Sequence, residues 1–474
     1  MFRTVFQRRR LRAVATALVV AAGVTPVGAP VAWAATAVTV DTATTYQRVD
    51  GFGFSQAFGQ AKVLGGALGL SAANQREVLD LLFDRSRGAG FSILRNLIDS
   101  GAANTIAPTA PSGPSATPTW RWDGTDRGQV WLSKQALAYG VRTIYADAWS
   151  APGYMKTNGS EVDGGTLCGM PGASCASGDW RRAYADYLVK YVQLNRDSGV
   201  PITHLGFVNE PELTTTYSSM IVNGAQAADF VKVLDSRLRA NGLDLEIVCC
   251  DAMGWRHGND MVNTIARDGA AFSALDVAGR HGYSSPPTTP FTQAAKPTWM
   301  TEWANFDPFT TAWDDGSAGS GFTWADRTMT ALTSANVSAF LHWWGAANST
   351  ANSPLIRLNG DSFQTSSRLW ALANYSRYIR PGATRVSATA ADADVKVAAF
   401  RNADGSLAVV ALNTTRSAVS VPVTLRGTDI GTQAVPHLTN GSNNTAAQTP
   451  VTINGGAFTS TIPARSLVTY EVRS

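Results

Sequence analysis

The sequence predicts an α/β protein, a (β/α)8 barrel with a β-sandwich attached at its side. In the longer first part of the chain, short apolar runs alternate with segments of helical periodicity, which is the pattern of a barrel of parallel strands. After Arg380–Gly382 the pattern changes to short alternating strands separated by Asn, Asp and Gly turns, which indicates a sandwich. We therefore assign residues 51–380 to the barrel and residues 381–474 to the sandwich.

Eight apolar runs of strand length are the predicted barrel strands. Between them, apolar stripes in Asp179–Arg196 and Ala225–Ala240 predict helices that pack on a sheet, and Gly242 is a stop signal for the second. The runs are Gly51–Phe54, Ser92–Ile98, Val141–Trp149, Ile202–Val208, Leu245–Asp251, Leu275–Tyr283, Pro297–Trp303 and Val337–Trp344.

The predicted sandwich contains strands from both ends of the chain. Its clearest C-terminal strands are Val395–Phe400, Leu407–Leu412 and Val419–Leu425. The alternating segment Ala37–Val49 is expected to join them, so we assign residues 35–50 to the sandwich as well. Because no low-complexity linker separates the two parts, we expect the sandwich to be fixed against the barrel.

The first 34 residues predict a secretory signal peptide. Five arginines precede an apolar run from Ala13 to Val24, and Ala32 and Ala34 form an A-x-A cleavage pattern. The apolar run is too short to span a bilayer. We therefore expect cleavage after Ala34 and a secreted, extracellular protein that does not associate with a membrane.

Composition excludes several kinds of partner. Removal of residues 1–34 takes five arginines and no acids from a chain of formal charge +4, which leaves −1. A chain of this charge, without a cluster of Lys and Arg, is not expected to bind nucleic acid. The five histidines do not fall at ligand spacing with the cysteines, so we expect no metal. We also expect no cofactor, and a monomer.

The four cysteines form two pairs in the sequence. Cys168 and Cys175 lie in the Gly-rich loop LCGMPGASC, and export makes a disulfide between them the expected state. Cys249 and Cys250 are adjacent at the end of a predicted strand. They could form a vicinal disulfide or remain as buried thiols, and we favour the thiols.

Two predicted strands end in a carboxylate. Glu210 follows the fourth, together with Asn209, and Glu302 ends the seventh. Barrel enzymes carry their chemistry at the carboxyl ends of the strands, and glycoside hydrolysis needs two carboxyl groups. In this arrangement we expect the groups about 5–5.5 Å apart, the separation of retaining enzymes. Glu210 is the predicted general acid/base and Glu302 the predicted nucleophile, whereas a lone Glu210 would suggest only a solvated loop acid.

Polar groups at other strand ends are candidates for substrate binding. Arg95 lies inside an apolar strand and needs a partner, for which Glu302 is a candidate, although a purely structural ion pair is equally plausible. Asn209 is expected to donate to the nucleophile or to a sugar 2-hydroxyl. Tyr283 could donate to the nucleophile, and the neighbouring His281 is interpreted as a core histidine.

Tryptophans end two of the strands. Trp149 ends the third, and Trp343 and Trp344 end the eighth. Their flat faces suit the apolar C–H faces of sugars, although each could equally fill the core. Glu212 is interpreted as a solvated loop acid or as a residue that supports the site.

Six short motifs occur together in this chain: GFGFSQAF (51–58), WSAPGYMKTNG (149–159), LGFVNEPE (205–212), CCDA (249–252), HGYSSPP (281–287) and WMTEWA (299–304). The combination resembles glycoside hydrolase family 30, and most of all its fungal-type xylanase branch. This resemblance implies a barrel with a side sandwich and a retaining mechanism, with the acid/base at Glu210 and the nucleophile at Glu302. It also implies that the substrate is β-1,4-xylan.

One position departs from the glucuronoxylan-specific members that the sequence resembles. In those members the first loop reads like GFGFSEAFQRA, and its arginine recognises the glucuronosyl branch. Here the loop reads GFGFSQAFGQA, with Gln60 at that place, so strict dependence on the branch is not expected.

The resemblance also leaves open a β-1,6-glucanase or a glucosylceramidase-like hydrolase. A non-catalytic carbohydrate-binding barrel is a third alternative, against which the two carboxylates argue. The mode of cleavage, endo-acting or from chain ends, stays open.

Overall fold

Eight parallel strands close into a barrel, and a second sheet system lies at its side. The computed structural model describes residues 36–291, 296–427 and 431–473, so the expected signal peptide lies outside the described residues. Strand β1 (Val38–Arg48) belongs to the side sandwich, and the chain then enters the barrel. The barrel strands are β2 (Gly51–Ser55), β3 (Ile93–Ile98), β4 (Thr143–Ala148), β5 (His204–Gly206), β6 (Glu246–Ala252), β7 (Val277–His281), β8 (Thr298–Glu302) and β9 (Ala339–Ala347).

Each barrel strand pairs in parallel with the next one, and β9 pairs with both β8 and β2, which closes the barrel. All eight predicted runs contain a strand, so the predicted barrel is confirmed. The fourth strand is shorter than predicted, because the chain leaves the sheet after Gly206 to form the loop that carries Asn209 and Glu210. The sequence did not predict the hairpin of β10 (Pro354–Asn359) and β11 (Ser362–Thr365), which extends the sheet beyond β9.

Helices cover the outside of the barrel. The apolar stripe of the predicted segment Asp179–Arg196 is buried, as expected for a helix that packs on strands. No helix in the described ranges is long and apolar enough to cross a membrane. The helices are α1 (Gln60–Lys62), α2 (Ala72–Phe83), α3 (Gln129–Ala138), α4 (Arg181–Asp197), α5 (Gly224–Ala240), α6 (Trp255–Ile265), α7 (Gly269–Ala274), α8 (Gly321–Ser334) and α9 (Ser367–Ser376).

The side sandwich contains strands from both ends of the chain, as predicted. Strand β1 pairs antiparallel with β12 and parallel with β15, so the N-terminal strand lies between two C-terminal ones. The C-terminal strands are β12 (Thr384–Ala390), β13 (Val395–Arg401), β14 (Leu407–Asn413), β15 (Val419–Arg426), β16 (Gln433–Asn440), β17 (Asn443–Ala447), β18 (Val451–Thr452), β19 (Ala457–Ile462) and β20 (Leu467–Arg473).

The sandwich is attached to the barrel by buried polar contacts. The side-chain amide of Asn374 in α9 donates to the carbonyl of His437 at 2.9 Å, and the Thr469 hydroxyl donates to the carbonyl of Asn374 at 2.6 Å. At another point of the interface, Trp313 donates to the carbonyl of Arg465 at 2.6 Å. Because these bonds join the interiors of the two parts, the sandwich is fixed against the barrel.

Both cysteine pairs are bonded. The expected disulfide between Cys168 and Cys175 is confirmed. The preference for free thiols at Cys249 and Cys250 was wrong, because these residues form a vicinal disulfide. Both residues are buried.

Candidate active site

A cavity of about 560 Å³ opens at the carboxyl ends of the barrel strands. The structure brings together six of the predicted site residues in its wall, namely Glu210, Glu302, Trp149, Tyr283, Trp343 and Trp344. Arg95 and Asn209 lie directly behind these residues, in contact with each other. The sequence did not identify the other lining residues, which are Phe58, Leu213, Tyr217, Met253 and Phe306.

Glu302 ends strand β8 and is held by two donors. The Arg95 guanidinium donates to its Oε2 at 2.6 Å, and the Tyr283 hydroxyl donates to its Oε1 at 2.8 Å. The sequence indicates both Arg95 and Tyr283 as candidate partners of Glu302. Burial raises the pKa of Glu302, while the charges of His281 and Arg95 act in the opposite direction. The two donors therefore stabilise the ionised carboxylate in a site with little water.

Glu210 lies in the loop after β5, with its backbone in the left-handed region at φ 46°. The Tyr217 hydroxyl donates to its Oε2 at 3.2 Å, and Nδ1 of His281 lies 3.1 Å from its Oε1. One carboxylate oxygen of Glu210 and one of Glu302 lie within 4.8 Å of each other, with a ring nitrogen of His281 in the same group. The two carboxyl groups therefore face each other across a short gap.

His281 lies between the two carboxyl groups and is fully buried. Burial disfavours its charge, but attraction by Glu302 and Glu210 and an interaction with Asp251 outweigh this and raise the pKa of His281 to about 10. Its Nδ1–H therefore donates to Glu210 at neutral pH. The side chains of Glu210, His281 and Glu302 lie close enough together to hold a metal ion, but in this structure they already bind one another, Arg95 and Tyr283. The interpretation of His281 as a core histidine missed this role.

Arg95 is the centre of a buried charge network behind Glu302. Besides Glu302, it donates to Asp147 at 2.7 Å, to Asp251 at 2.8 Å and to Oδ1 of Asn209 at 2.6 Å. The carboxylates make its charge tolerable in a site without solvent, since an unpaired buried guanidinium would be costly. The sequence did not identify Asp147 or Asp251, although each is a charged residue inside an apolar strand, the signal that identified Arg95.

The two aspartates behave differently. Burial and the neighbouring Asp251 raise the pKa of Asp147. Burial acts in the same direction on Asp251, but the charges of Arg95 and His281 outweigh it and lower the pKa of Asp251. Asp251 therefore carries the negative charge that balances Arg95, and Asp147 is the member of the pair that binds a proton more readily.

Two strand glycines leave room for these aspartates. A Cβ atom at Gly206 would collide with the Asp147 carboxylate, and one at Gly279 would collide with the Asp251 carboxylate. Any side chain at either position would displace the carboxylates that hold Arg95. The glycines are therefore required by the close approach of these side chains rather than by a turn.

Aromatic rings form the walls of the cavity. The centroids of Trp149 and Trp343 lie 6.0 Å apart, and Trp343 stacks on Trp344 at 5.0 Å. Phe58 meets Trp149, Trp343 and Tyr217 edge to face at 5.7, 6.0 and 6.1 Å, and so joins opposite sides of the wall. The buried Nε1 of Trp344 has no hydrogen-bond partner among the described residues.

Gln60 lies outside the set of residues that line this cavity. Its Oε1 accepts from the backbone N–H of Asn348 at 3.3 Å, which ties the loop after β2 to the loop after β9. Next to it, the guanidinium of Arg127 lies so close to Gly59 that a Cβ atom there would contact it at 2.9 Å. Arg127 in turn pairs with Asp99 at 2.6 Å.

A barrel with two facing carboxyl groups in an aromatic cleft, one held by an arginine and a tyrosine, defines a glycoside hydrolase. Residues 51–365 match the family model described as Glycosyl hydrolase family 59, and residues 382–470 match the Glycosyl hydrolase family 30 beta sandwich domain.

Comparisons with individual proteins extend over most of the chain. The structure of the catalytic domain of GH30 xylanase C from Talaromyces cellulolyticus is 42% identical, with a TM-score of 0.88 over 92% of this chain and all of that one. Glucuronoxylanase XynC of Bacillus subtilis is 22% identical over 73% of this chain and 77% of its own length. Endo-1,6-beta-D-glucanase BGN16.3 of Trichoderma harzianum is 27% identical over 73% of this chain and 74% of its own.

The chain belongs to glycoside hydrolase family 30. The Talaromyces enzyme matches both barrel and sandwich at high identity, and the sandwich model names the same family, so these two findings decide between the two family descriptions. The protein is a retaining glycoside hydrolase with xylanases among its relatives.

Proposed function

We propose that this protein hydrolyses β-1,4-xylan by double displacement, with Glu302 as nucleophile and Glu210 as general acid/base. The observation that carries this proposal is the pair of facing carboxyl groups, whose oxygens approach within 4.8 Å across the aromatic cavity. This short gap suits direct attack by a carboxylate, because an inverting pair must stand about 6.5–9.5 Å apart to admit a water molecule.

In the first step, the Glu302 carboxylate attacks the anomeric carbon, and the bond from this carbon to the leaving oxygen breaks. Glu210 gives its proton to that oxygen, so the leaving sugar departs as a neutral alcohol. In the second step, Glu210 takes a proton from a water molecule, whose oxygen attacks the anomeric carbon and releases Glu302. Two inversions give a product with the configuration of the substrate.

The residues around the carboxyl groups suit these roles. Arg95 and Tyr283 hold both oxygens of Glu302, which fixes the orientation of the attacking carboxylate. Asn209 uses its Oδ1 for Arg95, and its Nδ2 makes no hydrogen bond within the described residues, so we assign it to a hydroxyl of the bound sugar. Trp149, Trp343 and Trp344 supply faces for the sugar rings.

Xylan is the proposed substrate because the 42% identical relative from Talaromyces cellulolyticus is named a xylanase. A β-1,6-glucan is the second candidate, since a 27% identical relative is named an endo-1,6-β-glucanase. Both polymers present pyranose rings to an aromatic cleft, so the cavity alone does not separate them. We also propose that residues 1–34 are a signal peptide and that the enzyme is secreted.

Release of reducing sugar from a panel of polysaccharides tests the substrate. Linear xylan, glucuronoxylan and β-1,6-glucan are compared at matched enzyme concentration, with the Glu302→Gln variant as the inactive control. Release of glucose from the glycolipid glucosylceramide is measured alongside them. We expect activity on the xylans. Preferential release from β-1,6-glucan would replace xylan by the second candidate, and no release from any polymer would contradict the assignment as a polysaccharide hydrolase.

A further inference from the structure

A second cavity, of about 800 Å³, lies at the junction of the barrel and the sandwich. Its barrel side is formed by the ends of three helices, with Phe83 at the end of α2, Tyr139 after α3, and Arg377 and Tyr378 after α9. Helices run antiparallel to the barrel strands, so these ends lie at the opposite face of the barrel from the catalytic carboxyl groups. The cavity is therefore separate from the active site.

Aromatic side chains form part of the walls of this junction cavity. Tyr378 is half-buried and stacks on His437 of strand β16, with 4.3 Å between the ring centroids and 28° between the planes. Tyr139 packs against Phe83 at 5.8 Å and is also half-buried. Planar rings that are held in place but partly open suit the face of a sugar ring.

The polar groups of the junction cavity leave an excess of positive charge. It is lined by three arginines and two acids, Asp84 and Glu471. Both acids are occupied: Asp84 accepts from the backbone and hydroxyl of Ser86, and Glu471 accepts from Arg473 at 2.6 Å.

The other two arginines, Arg85 and Arg377, form no ion pair in the described part of the chain. Arg377 is largely buried, with its Nε–H donating to the carbonyl of Gly88. Arg85 is exposed at the edge of the cavity. Two cations without an anionic partner, beside aromatic rings, suit a sugar that carries a carboxylate.

We propose that the junction cavity binds an acidic stretch of the polysaccharide substrate, one that carries uronic acid groups, at a distance from the point of cleavage. The proposal rests on the proposed function, which makes a xylan the substrate. The volume lies within the range of ligand sites. Such a site holds the enzyme on a polymer without contributing to the bond that is cut, so its effect is confined to long substrates.

Affinity electrophoresis, in which a polysaccharide cast in the gel slows a protein that binds it, tests the proposal. Every protein in this experiment carries Glu302→Gln, which prevents hydrolysis of the polysaccharide. Ala447→Trp fills the cavity from an exposed position of β17, and Arg85→Glu reverses one free charge. The matched control is Ala393→Trp, at an exposed alanine of the sandwich that does not line the cavity. The ligands are glucuronoxylan and a neutral linear xylan, each cast in the gel.

We expect Ala447→Trp to reduce retardation by glucuronoxylan, and Arg85→Glu to weaken this binding by about tenfold, the effect of one charge-assisted contact. The control Ala393→Trp should bind both xylans as tightly as the protein that carries Glu302→Gln alone. Variants that bind like the control would overturn the proposal. If Arg85→Glu weakened binding to glucuronoxylan and to neutral xylan equally, the proposal that the ligand is acidic would be wrong.

A separate measurement distinguishes failure of this proposal from failure of the proposed function. With Glu302 intact, Ala447→Trp and Arg85→Glu should hydrolyse a short chromogenic xylobioside as the wild type does. If the wild type hydrolyses no xylan, the proposed function fails whatever the gels show. If it hydrolyses xylan while both variants bind normally, only the second site is disproved.

Discussion

The backbone N–H of Glu210 donates a hydrogen bond of 2.9 Å to the backbone carbonyl of Asp251. The side chain of Asp251 binds Arg95 at 2.8 Å, and Arg95 binds Glu302. The Asp251 carboxylate also accepts hydrogen bonds from the hydroxyls of Tyr145 and Thr301, both at 2.8 Å. Asp251 is buried, with its backbone in the left-handed region at φ 46°, and it links the main chain of Glu210 to the ion pair of Glu302.

Asp251→Asn tests this link. The backbone bond to Glu210 remains, but Arg95 loses the charge that balances it, so we expect kcat to fall by about a hundredfold while the fold is retained. Asp147→Asn is the matched comparison, because the raised pKa of Asp147 makes a neutral side chain less disruptive there, and the loss should be about tenfold or less. Equal losses in both variants would contradict the distribution of charge described above.

The proposed roles of the carboxylates are tested by Glu302→Gln and Glu210→Ala. The first should abolish turnover and retain sugar binding, since it removes the nucleophile. The second should spare the first step only for substrates with good leaving groups, which need no proton. Glu246→Gln, at an exposed site at the start of β6, is the control. NMR of the first product should show the retained anomer, and an inverted one would refute Glu302 as nucleophile.

His281 should give the enzyme a characteristic pH dependence of stability. Its pKa of about 10 lies above the ordinary value of 6.5, so its contribution is complete below pH 6.5 and is lost as the pH rises through 10. The free energy of unfolding of His281→Asn should therefore be lowered most near pH 6, by a few kcal/mol in order of magnitude, and the difference from wild type should shrink toward pH 10.

The exposed residue His257 provides the control for that series, since His257→Asn replaces a histidine that lies outside the buried group around the two carboxyl groups. A deficit of His281→Asn that stays constant between pH 6 and pH 10 would show that the imidazole is uncharged. In that case packing alone would account for its effect.

Tyr217→Phe tests the contact of Tyr217 with Glu210, the proposed acid/base. The variant keeps the ring against Phe58 but loses the hydroxyl that donates to Glu210 at 3.2 Å. We expect kcat on xylan to fall by about fivefold to tenfold, in line with one hydrogen bond to a charged group. The loss should be smaller for an aryl xyloside with a good leaving group, and Tyr46→Phe on the sandwich should have no effect.

The residue at position 60 is predicted to influence whether the enzyme prefers xylan with glucuronosyl branches. Without an arginine there, we expect comparable kcat/KM on neutral or arabinosyl-substituted xylo-oligosaccharides and on glucuronosyl-branched ones, all too short to reach the junction cavity. Gln60→Arg should shift the preference toward the glucuronosyl-branched oligosaccharides by about tenfold to a hundredfold. Lys62→Arg, two residues away and exposed, is the control. The alternative is that Arg127, which lies against Gly59, already binds the branch. A wild type that strongly prefers glucuronoxylan, and loses the preference in Arg127→Ala, would establish it.

The sequence predicted the barrel and the positions of its two carboxyl groups because apolar runs and their ends are local features. The partners of Glu302, namely Arg95 and Tyr283, were also found, because a charged or polar residue at a strand end requires an explanation. Asp147 and Asp251 carry the same kind of signal, but their importance depends on which strands are neighbours in space.

Other parts of the site depend on the path of loops, which periodicity does not determine. Tyr217 reaches Glu210 from a position seven residues further along the chain, and Phe58, in the loop after β2, packs against Tyr217. The bonded state of Cys249 and Cys250 and the hairpin of β10 and β11 were also not predicted, because each depends on local geometry rather than on an apolar pattern.

Strand β1 has a consequence for the order in which the molecule is completed during synthesis. It occupies the place between β12 and β15, so the sheet cannot be continuous until residues more than three hundred positions later have been made. Strand β1 must therefore wait for β12 and β15 through the whole time in which the barrel emerges. A shortened gene that begins at the barrel would leave β12 and β15 with unpaired edges in the middle of the sandwich, where they could recruit a strand from another molecule.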